Sequence, residues 1–191
     1  MKKILFFLII TFIIFEAKAS QKKSIIENLK NTNNLFFNFE QNINGKIQNG
    51  LCTIEYPKKI FCDYNLSNEK VLVSNGNSLV IKTKNSYYLY PIEKTPLNLI
   101  LNKDFLIQKI KDLNERIIDN KYINFIFKEN ENEISLFFDK QSFDLIGWQT
   151  IDIYQNLSIT YLSNINKNQK LNNDLFKTTS QINQIKSFLC V

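Results

Sequence analysis

Residues 50–101 read GLCTIEYPKKIFCDYNLSNEKVLVSNGNSLVIKTKNSYYLYPIEKTPLNLIL, a series of short apolar runs separated by turn residues. The runs 51–56 and 59–64 alternate, are rich in aromatic and β-branched residues, and flank Pro57 and Lys58. This pattern predicts two antiparallel strands joined by a proline turn. Because side chains alternate between faces, one face carries a mainly apolar set: Cys52, Ile54, Tyr56, Ile60, Cys62 and Tyr64. The other face is polar apart from Leu51 and Phe61, so the apolar face is expected to need a cover.

The remainder of this segment predicts a second hairpin and then a helix. Asn75-Gly76 between two apolar runs is typical of a tight hairpin turn, where asparagine and glycine accept a positive φ. Thr95-Pro96 is typical of a helix N-terminus, with Thr95 as the N-cap and Pro96 at the first helical position. The predicted order is hairpin, hairpin, helix.

The flanking sequence adds one helix before this segment and a helix and several strands after it. Ser24 and Glu27 resemble a capping box that would open a first helix, although this helix could instead begin nearer Ser20. Residues 34–43 alternate as a strand, and residues 104–113 have a helical apolar stripe. Strands are predicted again at 116–119, 122–128, 133–139, 143–153 and 157–163.

This order of elements predicts an α+β fold. The alternation of strands and helices that marks doubly wound sheets is absent from the sequence pattern. A single antiparallel sheet of many strands must curl, and an unclosed one needs helices over its apolar side. We therefore expect a single curved antiparallel β-sheet, an unclosed half-barrel, with a lid of short α-helices over an apolar concave face.

The residues of this segment resemble the periplasmic outer-membrane lipoprotein carrier (LolA-type) family of Gram-negative bacteria. The similarity rests on the glycine-led strand into Pro57, the turn Val73-Ser74-Asn75-Gly76-Asn77-Ser78-Leu79 and Thr95-Pro96-Leu97. It extends more loosely from Leu29 to Phe176, through Phe39-Glu40-Gln41 and Leu145-Ile146-Gly147-Trp148. The resemblance implies the same half-barrel, a cavity for acyl chains and transport of lipoproteins between two membranes.

The N-terminus predicts export. Lys2 and Lys3 form a positive n-region, residues 4–15 are an unbroken apolar stretch, and Ala17-Lys18-Ala19 is a small-x-small cleavage site before Ser20. The apolar run is shorter than the roughly 20 residues that span a bilayer as a helix, so a membrane anchor is disfavoured. We expect a signal peptide at 1–19, cleavage after Ala19, and a periplasmic carrier domain at 20–191.

Size and charge predict one domain with no nucleic-acid partner. Cleavage would leave 172 residues, enough for one core, and would lower the net charge from +6 to +4. The lysines are scattered and Arg116 is the only arginine, whereas nucleic-acid-binding proteins usually concentrate basic residues on one face. We expect a monomer.

The composition argues against an enzyme. The chain contains no histidine, which excludes histidine-based triads and common zinc sites. Glu129, Glu131 and Glu133 lie in a predicted hairpin tip and are typical of a solvated turn rather than an acid and base pair. We expect no catalytic residues, no metal and no cofactor.

Three cysteines in an oxidising compartment leave at least one unpaired within the chain. Cys52 and Cys62 are equidistant from Pro57, so a cross-strand disulfide is possible. The alternative is two reduced apolar side chains on the sheet. Cys190 is expected to be free.

The surplus of aromatic residues predicts either a packed core or an acyl-chain cavity. Twelve phenylalanines, eight tyrosines and Trp148 remain after the predicted cleavage. The predicted cavity wall consists of Ile54, Tyr56, Ile60, Cys62, Tyr64, Leu72 and Trp148. The predicted lid consists of Ile25, Ile26 and Leu29 from the first helix and Leu97, Ile100 and Leu101 from the second. These lid residues would make ordinary core contacts in the alternative reading.

The resemblance also implies a latch. In the family, an arginine just before the turn proline hydrogen-bonds to the lid and keeps the empty carrier closed, and the matching residue here is Tyr56. Tyrosine offers one hydroxyl and a ring but no charged fork. We expect Tyr56 to make a weaker, more hydrophobic latch, and the alternative is that it only packs the turn.

The sequence thus predicts a carrier of acylated lipoproteins. The implied partners are an inner-membrane ABC-type release complex and, as a further candidate, an outer-membrane lipoprotein receptor. One alternative is a periplasmic lipid- or lipoprotein-sensing regulatory domain on the same half-barrel. Another is an exported enzyme that uses serine or carboxylates without histidine.

Overall fold

The computed structural model describes residues 21–151, 155–172 and 174–178. The predicted signal peptide, its cleavage site and Cys190 lie outside these residues. These residues form three α-helices, α1 at Gln21–Asn31, α2 at Leu97–Ile100 and α3 at Lys103–Asp112, with a 3₁₀ turn at Ile92–Lys94. The strands are β1 Asn34–Ile43, β2 Lys46–Glu55, β3 Lys59–Tyr64, β4 Val71–Asn75, β5 Ser78–Lys82, β6 Tyr87–Pro91, β7 Arg116–Ile118, β8 Tyr122–Glu129, β9 Asn132–Asp139, β10 Leu145–Ile151 and β11 Leu157–Lys167.

All eleven strands belong to one antiparallel sheet, in the order β6-β5-β4-β3-β2-β1-β11-β10-β9-β8-β7. Strand β1 lies in the middle and pairs with β2 on one side and with β11 on the other. Each flank is a run of sequential hairpins that ends in an edge strand, β6 or β7. The sheet is not closed, which confirms the predicted fold class.

The main core lies between the helices and one face of the sheet, here called the inner face. Its fully buried members come from helices and strands alike and include Ile25, Leu106 and Ile110 from the helices and Phe37, Ile54, Phe125 and Phe138 from the strands. Period-two alternation places the strand residues on one face. The helices therefore cover the apolar face that the sequence identified.

The opposite, outer face carries a second apolar cluster that the sequence analysis did not predict. Phe61, Val71, Val73 and Val80 of β3–β5 pack there against Phe176, with Leu171 and Leu175 beside them. Phe61, an exception to the polar pattern, is 8% exposed because the segment after β11 covers it. Leu51, the other exception, remains 44% exposed.

Several local predictions were wrong. Helix α1 already includes Gln21, so Ser24 lies inside it rather than at its N-cap, in agreement with the alternative start nearer Ser20. Thr95 does not cap α2, because its hydroxyl donates to the Ile92 carbonyl at 2.8 Å. Asn102, which was not predicted as a cap, accepts the Phe105 N–H at 3.2 Å and caps α3.

The turn between β4 and β5 uses glycine and asparagine for different reasons. Gly76 has φ +100°, a conformation that glycine adopts readily. Asn75 is not in that region. Its side-chain oxygen instead accepts the N–H groups of Asn77 and Ser78, both at 3.0 Å, which forms an Asx turn. Of these two turn residues, only Gly76 therefore adopts the predicted positive φ.

Candidate functional site

A cavity of about 230 Å³ lies between α2 and the inner face of the sheet. Its apolar lining comes from both sides, with Leu97 and Ile100 from α2 and Tyr64, Leu72 and Trp148 from the strands. A smaller void of about 30 Å³ shares Tyr64, Leu72, Leu97 and Trp148 and also borders Ile60 and Cys62. Five of the seven predicted wall residues therefore border one or both of these two adjacent spaces.

The other predicted site residues line neither cavity. Ile54 is fully buried, as are Ile25 of α1 and Leu101 at the end of α2, and Leu29 is nearly so. Ile26 and Tyr56 are partly buried and pack against the same core. The predicted lid thus divides into two parts. The α1 residues and Leu101 make core contacts, whereas Leu97 and Ile100 border open space.

A disulfide between Cys52 and Cys62 forms part of the wall. The two residues are directly opposite each other in the β2–β3 pairing, with a Cα–Cα distance of 4.1 Å. Both border the smaller void. Of the two alternatives left by the sequence, the structure contains the cross-strand bond, which covalently fixes this hairpin below the cavity.

Gly50 allows two aromatic rings of the wall to meet. Phe39 and Tyr64 pack edge to face, with ring centroids 4.8 Å apart. A Cβ at Gly50 would lie 2.0 Å from the Asp63 carbonyl oxygen and 2.9 Å from the Phe39 ring. No larger residue fits between these groups. Steric exclusion therefore explains why β2 has a glycine immediately before Leu51.

A polar line, defined here as Gln41, Tyr64, Ser158 and Thr160, crosses the inner face beside the cavity, and the prediction missed most of it. The Tyr64 hydroxyl donates to Gln41 Oε1 at 3.3 Å. Gln41 Nε2 in turn donates to Thr160 Oγ1 at 3.2 Å and to Ser158 Oγ at 3.5 Å. Burial raises the pKa of Tyr64 to about 12, so this hydroxyl remains a donor. The β1 alternation, which places Gln41 on the face of Phe37 and Phe39, was the signal that could have revealed it.

Lys70 also lines the cavity and was not predicted. Its Nζ lies 3.9 Å from the centroid of the Tyr64 ring and donates to Gln48 Oε1 at 2.7 Å. Desolvation by burial lowers the pKa of Lys70. Within the described part of the chain, no carboxylate lies within 4.0 Å of this ammonium group.

Tyr56 is the residue expected to make a weaker, more hydrophobic latch than the family's arginine. The Tyr56 hydroxyl is buried and has no hydrogen-bond partner among the residues that the structure describes. Burial raises the pKa of this hydroxyl far above its ordinary value. Tyr56 contributes its ring instead, which packs against the core and lies 5.8 Å from Lys103 Nζ.

Backbone and lysine contacts also hold the lid close to Tyr56. The Lys58 N–H, one residue after Pro57, donates to the Leu101 carbonyl at 2.8 Å, at the junction of α2 and α3. Lys103 Nζ donates to the carbonyls of Thr32 at 2.8 Å and Lys30 at 3.2 Å, which joins α3 to the end of α1. The hydrogen bond between the β2–β3 turn and the lid therefore comes from a main-chain donor two residues after Tyr56.

Helix α1 is anchored separately to the sheet. Asn28 Nδ2 donates to Asp144 Oδ1 at 2.8 Å, and Lys167 Nζ donates to the same oxygen at 2.6 Å. Burial by itself would raise the pKa of Asp144, but hydrogen bonds from Lys167, Asn28 and Ser142 outweigh it and the pKa is lowered. This cluster fixes the long first helix independently of α2.

The described residues contain no group of three or more potential metal ligands. Nor does any helix within 21–151, 155–172 and 174–178 combine the length and apolarity that a membrane-crossing helix requires. Two of the three glutamates of the β8–β9 hairpin make ion pairs, Glu129 with Lys109 at 2.7 Å and Glu133 with Lys128 at 3.6 Å.

Comparisons with solved structures identify similar folds at very low sequence identity. An uncharacterized conserved protein from Thermus thermophilus matches with a TM-score of 0.51 and 7% identity, over 85% of this chain and 95% of that chain. A LolA superfamily protein, NE2245 from Nitrosomonas europaea, matches with a TM-score of 0.44 and 8% identity, over 84% and 99%. The lipoprotein LppX from Mycobacterium tuberculosis matches with a TM-score of 0.44 and 10% identity, over 80% and 97%.

A comparison with curated proteins gave no match. The family model described as "Outer membrane lipoprotein carrier protein LolA" matches residues 30–179, which run from the end of α1 to just beyond Phe176. The match includes the β2–β3 hairpin, the β4–β5 turn and all the cavity residues, in agreement with the resemblance seen in the sequence. This chain therefore belongs to the LolA family of outer membrane lipoprotein carrier proteins.

Proposed function

We propose that this protein is a periplasmic carrier that binds the acyl chains of lipoproteins in the cavity and shuttles them from the inner to the outer membrane. The observation that carries the proposal is the apolar cavity between Trp148 and Leu72 on the sheet and Leu97 and Ile100 on α2. Membership of the carrier family supports it. The chain would receive lipoproteins from an inner-membrane ABC-type release complex and deliver them to an outer-membrane receptor or directly to the membrane.

The size of the cavity indicates that α2 must move to admit cargo. Drug-sized ligands occupy pockets of about 300–1,000 Å³, and the cavity here measures about 230 Å³. Helix α2 spans only four residues, so its own hydrogen bonds hold it weakly. Displacement of Leu97 and Ile100 would extend the apolar space.

Release follows from competition for the same surface. Each buried methylene contributes about 0.8 kcal/mol, so two or three acyl chains would bind tightly if nothing opposed them. In the closed form Leu97 and Ile100 cover part of this surface, and the Lys58–Leu101 hydrogen bond favours that form. Cargo can bind only if the lid opens, so the free energy of opening is subtracted from the favourable free energy of binding. The lower net affinity allows cargo to be handed on.

A reconstitution experiment tests the proposal. The mature chain is mixed with a triacylated lipoprotein in detergent, the detergent is removed, and the soluble fraction is then presented to lipid vesicles. We expect a soluble complex with the acylated lipoprotein, no complex with the same protein lacking its acyl chains, and transfer to the vesicles. Equal recovery of acylated and unacylated protein would contradict the proposal.

Two matched variants locate the binding site. Leu97→Asp places a charge on the partly exposed lid residue, and Leu51→Asp places the same charge on the exposed outer face. We expect the first to abolish soluble complex formation and the second to leave it unchanged. Complex formation without transfer to vesicles would instead favour the lipoprotein-sensing alternative.

A further inference from the structure

Lys70 occupies an unusual position for a lysine of this protein. It lies immediately before β4, is only partly exposed, and lines the cavity together with Leu72, Leu79 and Ile81. The polar side chains Gln41, Thr95, Thr150 and Ser158 border the same space. The cavity therefore has an apolar lining and a cationic group on its wall.

The Lys70 ammonium group has different partners from those of several other lysines of the described chain. Lys59, Lys109 and Lys167 each lie within 3.1 Å of a carboxylate oxygen. Lys70, by contrast, is held by the Tyr64 ring at 3.9 Å and by the amide oxygen of Gln48 at 2.7 Å. None of the carboxylates in the described ranges comes within ion-pair distance of it.

Such a group has unused capacity to bind an anion. An ammonium has three donors, and Gln48 Oε1 accepts one of them. A partly buried charge without a counter-ion pays a desolvation penalty, which here lowers the pKa of Lys70. An anion in the cavity would offset this penalty and form a charge-assisted hydrogen bond.

Neighbouring residues fit the rest of an amphiphile. From Lys70 the apolar lining continues through Leu72, Leu97 and Ile100, where an acyl chain can lie. The polar line of Gln41, Tyr64, Ser158 and Thr160 borders the cavity or the smaller void, where hydroxyl and amide groups can meet ester or glycerol oxygens. Charge, neutral polar groups and apolar surface thus converge on one space.

We propose that the cavity binds acyl ligands with an anionic head, a carboxylate or a phosphate, and that Lys70 is the residue that recognises this head. The inference rests on the proposed acyl-chain cavity and adds a ligand class to it. An acyl ligand with an acidic head should therefore bind more tightly than one with a neutral head.

The test compares ligands that share a chain and differ in the head. The full mature protein is titrated with a fatty acid, a lysophosphatidic acid, a monoacylglycerol and inorganic phosphate, with binding followed by calorimetry. We expect the two anionic lipids to bind about tenfold more tightly than the neutral one, as a charge-assisted hydrogen bond implies. We expect inorganic phosphate alone not to bind measurably.

Variants assign the preference to Lys70. Lys70→Met retains an unbranched apolar stem and should reduce anionic binding to the neutral level, while binding of the monoacylglycerol is unchanged. Lys70→Arg should retain the preference. Lys84→Met removes the same charge at an exposed position and should also retain the preference for anionic lipids.

The outcomes separate the two proposals. Equal affinity for neutral and anionic lipids in the wild type, or an unchanged preference in Lys70→Met, would overturn the role of Lys70 and leave the acyl cavity standing. Tight binding of inorganic phosphate at Lys70 would identify an ion site and contradict the lipid class. Failure of every acyl ligand to bind would overturn the carrier proposal itself.

Discussion

The two helices that follow β6 cover the inner face in different ways. Helix α3 has ten residues, is capped by Asn102, and packs with Leu106 and Ile110 fully buried. Its Phe105 ring meets Phe127 of β8 edge to face at 5.9 Å, and Lys109 pairs with Glu129. Helix α2 has four residues, and Leu97 is only partly buried beside a cavity of about 230 Å³.

This difference indicates that the sheet has a filled half and a hollow half. In the filled half, under α3, the β8 and β9 residues Ile123, Phe125, Ile134 and Phe138 are fully buried. In the hollow half, under α2, the corresponding space is the cavity of about 230 Å³. The filled half would supply the stability of the fold, so that α2 can move at a small cost in free energy.

The largest expected effect comes from truncation in the filled half. Phe125→Ala removes a fully buried ring that packs edge to face on Phe138 at 6.0 Å. We expect the free energy of unfolding to fall by about 3–5 kcal/mol, measured by urea denaturation. Leu97→Ala, the matched truncation in the hollow half, should cost less than about 1.5 kcal/mol. Similar losses for both variants would contradict the division into two halves.

Removal of the disulfide should have the next largest effect. The bond closes a loop with a sequence separation of ten residues, for which chain entropy implies about 2–3 kcal/mol. We expect Cys52→Ala/Cys62→Ala to lower the free energy of unfolding by this amount, in the same urea assay. Reductant should produce a similar loss in the wild type and none in the double variant. A wild-type midpoint that is insensitive to reductant would argue against the bond.

Loss of the α1 anchor should produce a smaller, pH-dependent effect. The pKa of Asp144 is lowered in the folded state, so its contribution is fully present above the ordinary value of 3.8 and is lost as the pH falls through the lower, folded value. Asp144→Asn should therefore cost about 1–2 kcal/mol at pH 7 and progressively less below pH 3.8. Thermal unfolding of both proteins between pH 2 and 7 measures this. Parallel pH profiles would rule out the anchor.

The smallest effect is expected at Tyr56. Because its buried hydroxyl lacks a partner in the described part of the chain, Tyr56→Phe removes an unsatisfied polar group and should raise the free energy of unfolding, by up to about 1 kcal/mol. Transfer of lipoprotein to vesicles should be unchanged, because Lys58 provides the contact to Leu101. A loss of transfer would restore the hydroxyl as the latch.

Local sequence patterns predicted the central hairpins more accurately than the edge strand β6 and the segment that covers the outer face. Strands β1 and β3 begin and end at the predicted residues because alternation and Pro57 determine them locally. Strand β6 was missed, since its residues Tyr87–Pro91 are exposed on both faces and show no alternation of burial. The contact of Phe61 with Phe176 joins distant parts of the chain, which no local pattern reveals.

The candidate site was predicted only in part, because local patterns assign residues to a face of a strand but do not reveal contacts between distant residues. Period two placed Ile60, Cys62 and Tyr64 on one face, and all three border the smaller void, while Tyr64 also borders the larger cavity. Which apolar helix residues fill space and which border it depends on helix length and position, so Ile25 and Leu101 could not be separated from Leu97 and Ile100. Lys70 was missed because its role arises from Tyr64 and Gln48, which lie six and 22 residues away in the chain.

The hollow half contains the only tryptophan of the chain, Trp148, which borders both cavities. Its fluorescence therefore reports directly on occupancy. The decisive measurement is a titration of the mature protein with an acylated lipopeptide whose chains carry bromine atoms, which quench tryptophan on contact. We expect saturable quenching that the same lipopeptide without acyl chains does not produce, and that Leu97→Asp abolishes. Unchanged Trp148 emission when lipopeptide is bound would contradict the assignment of this cavity to the acyl chains.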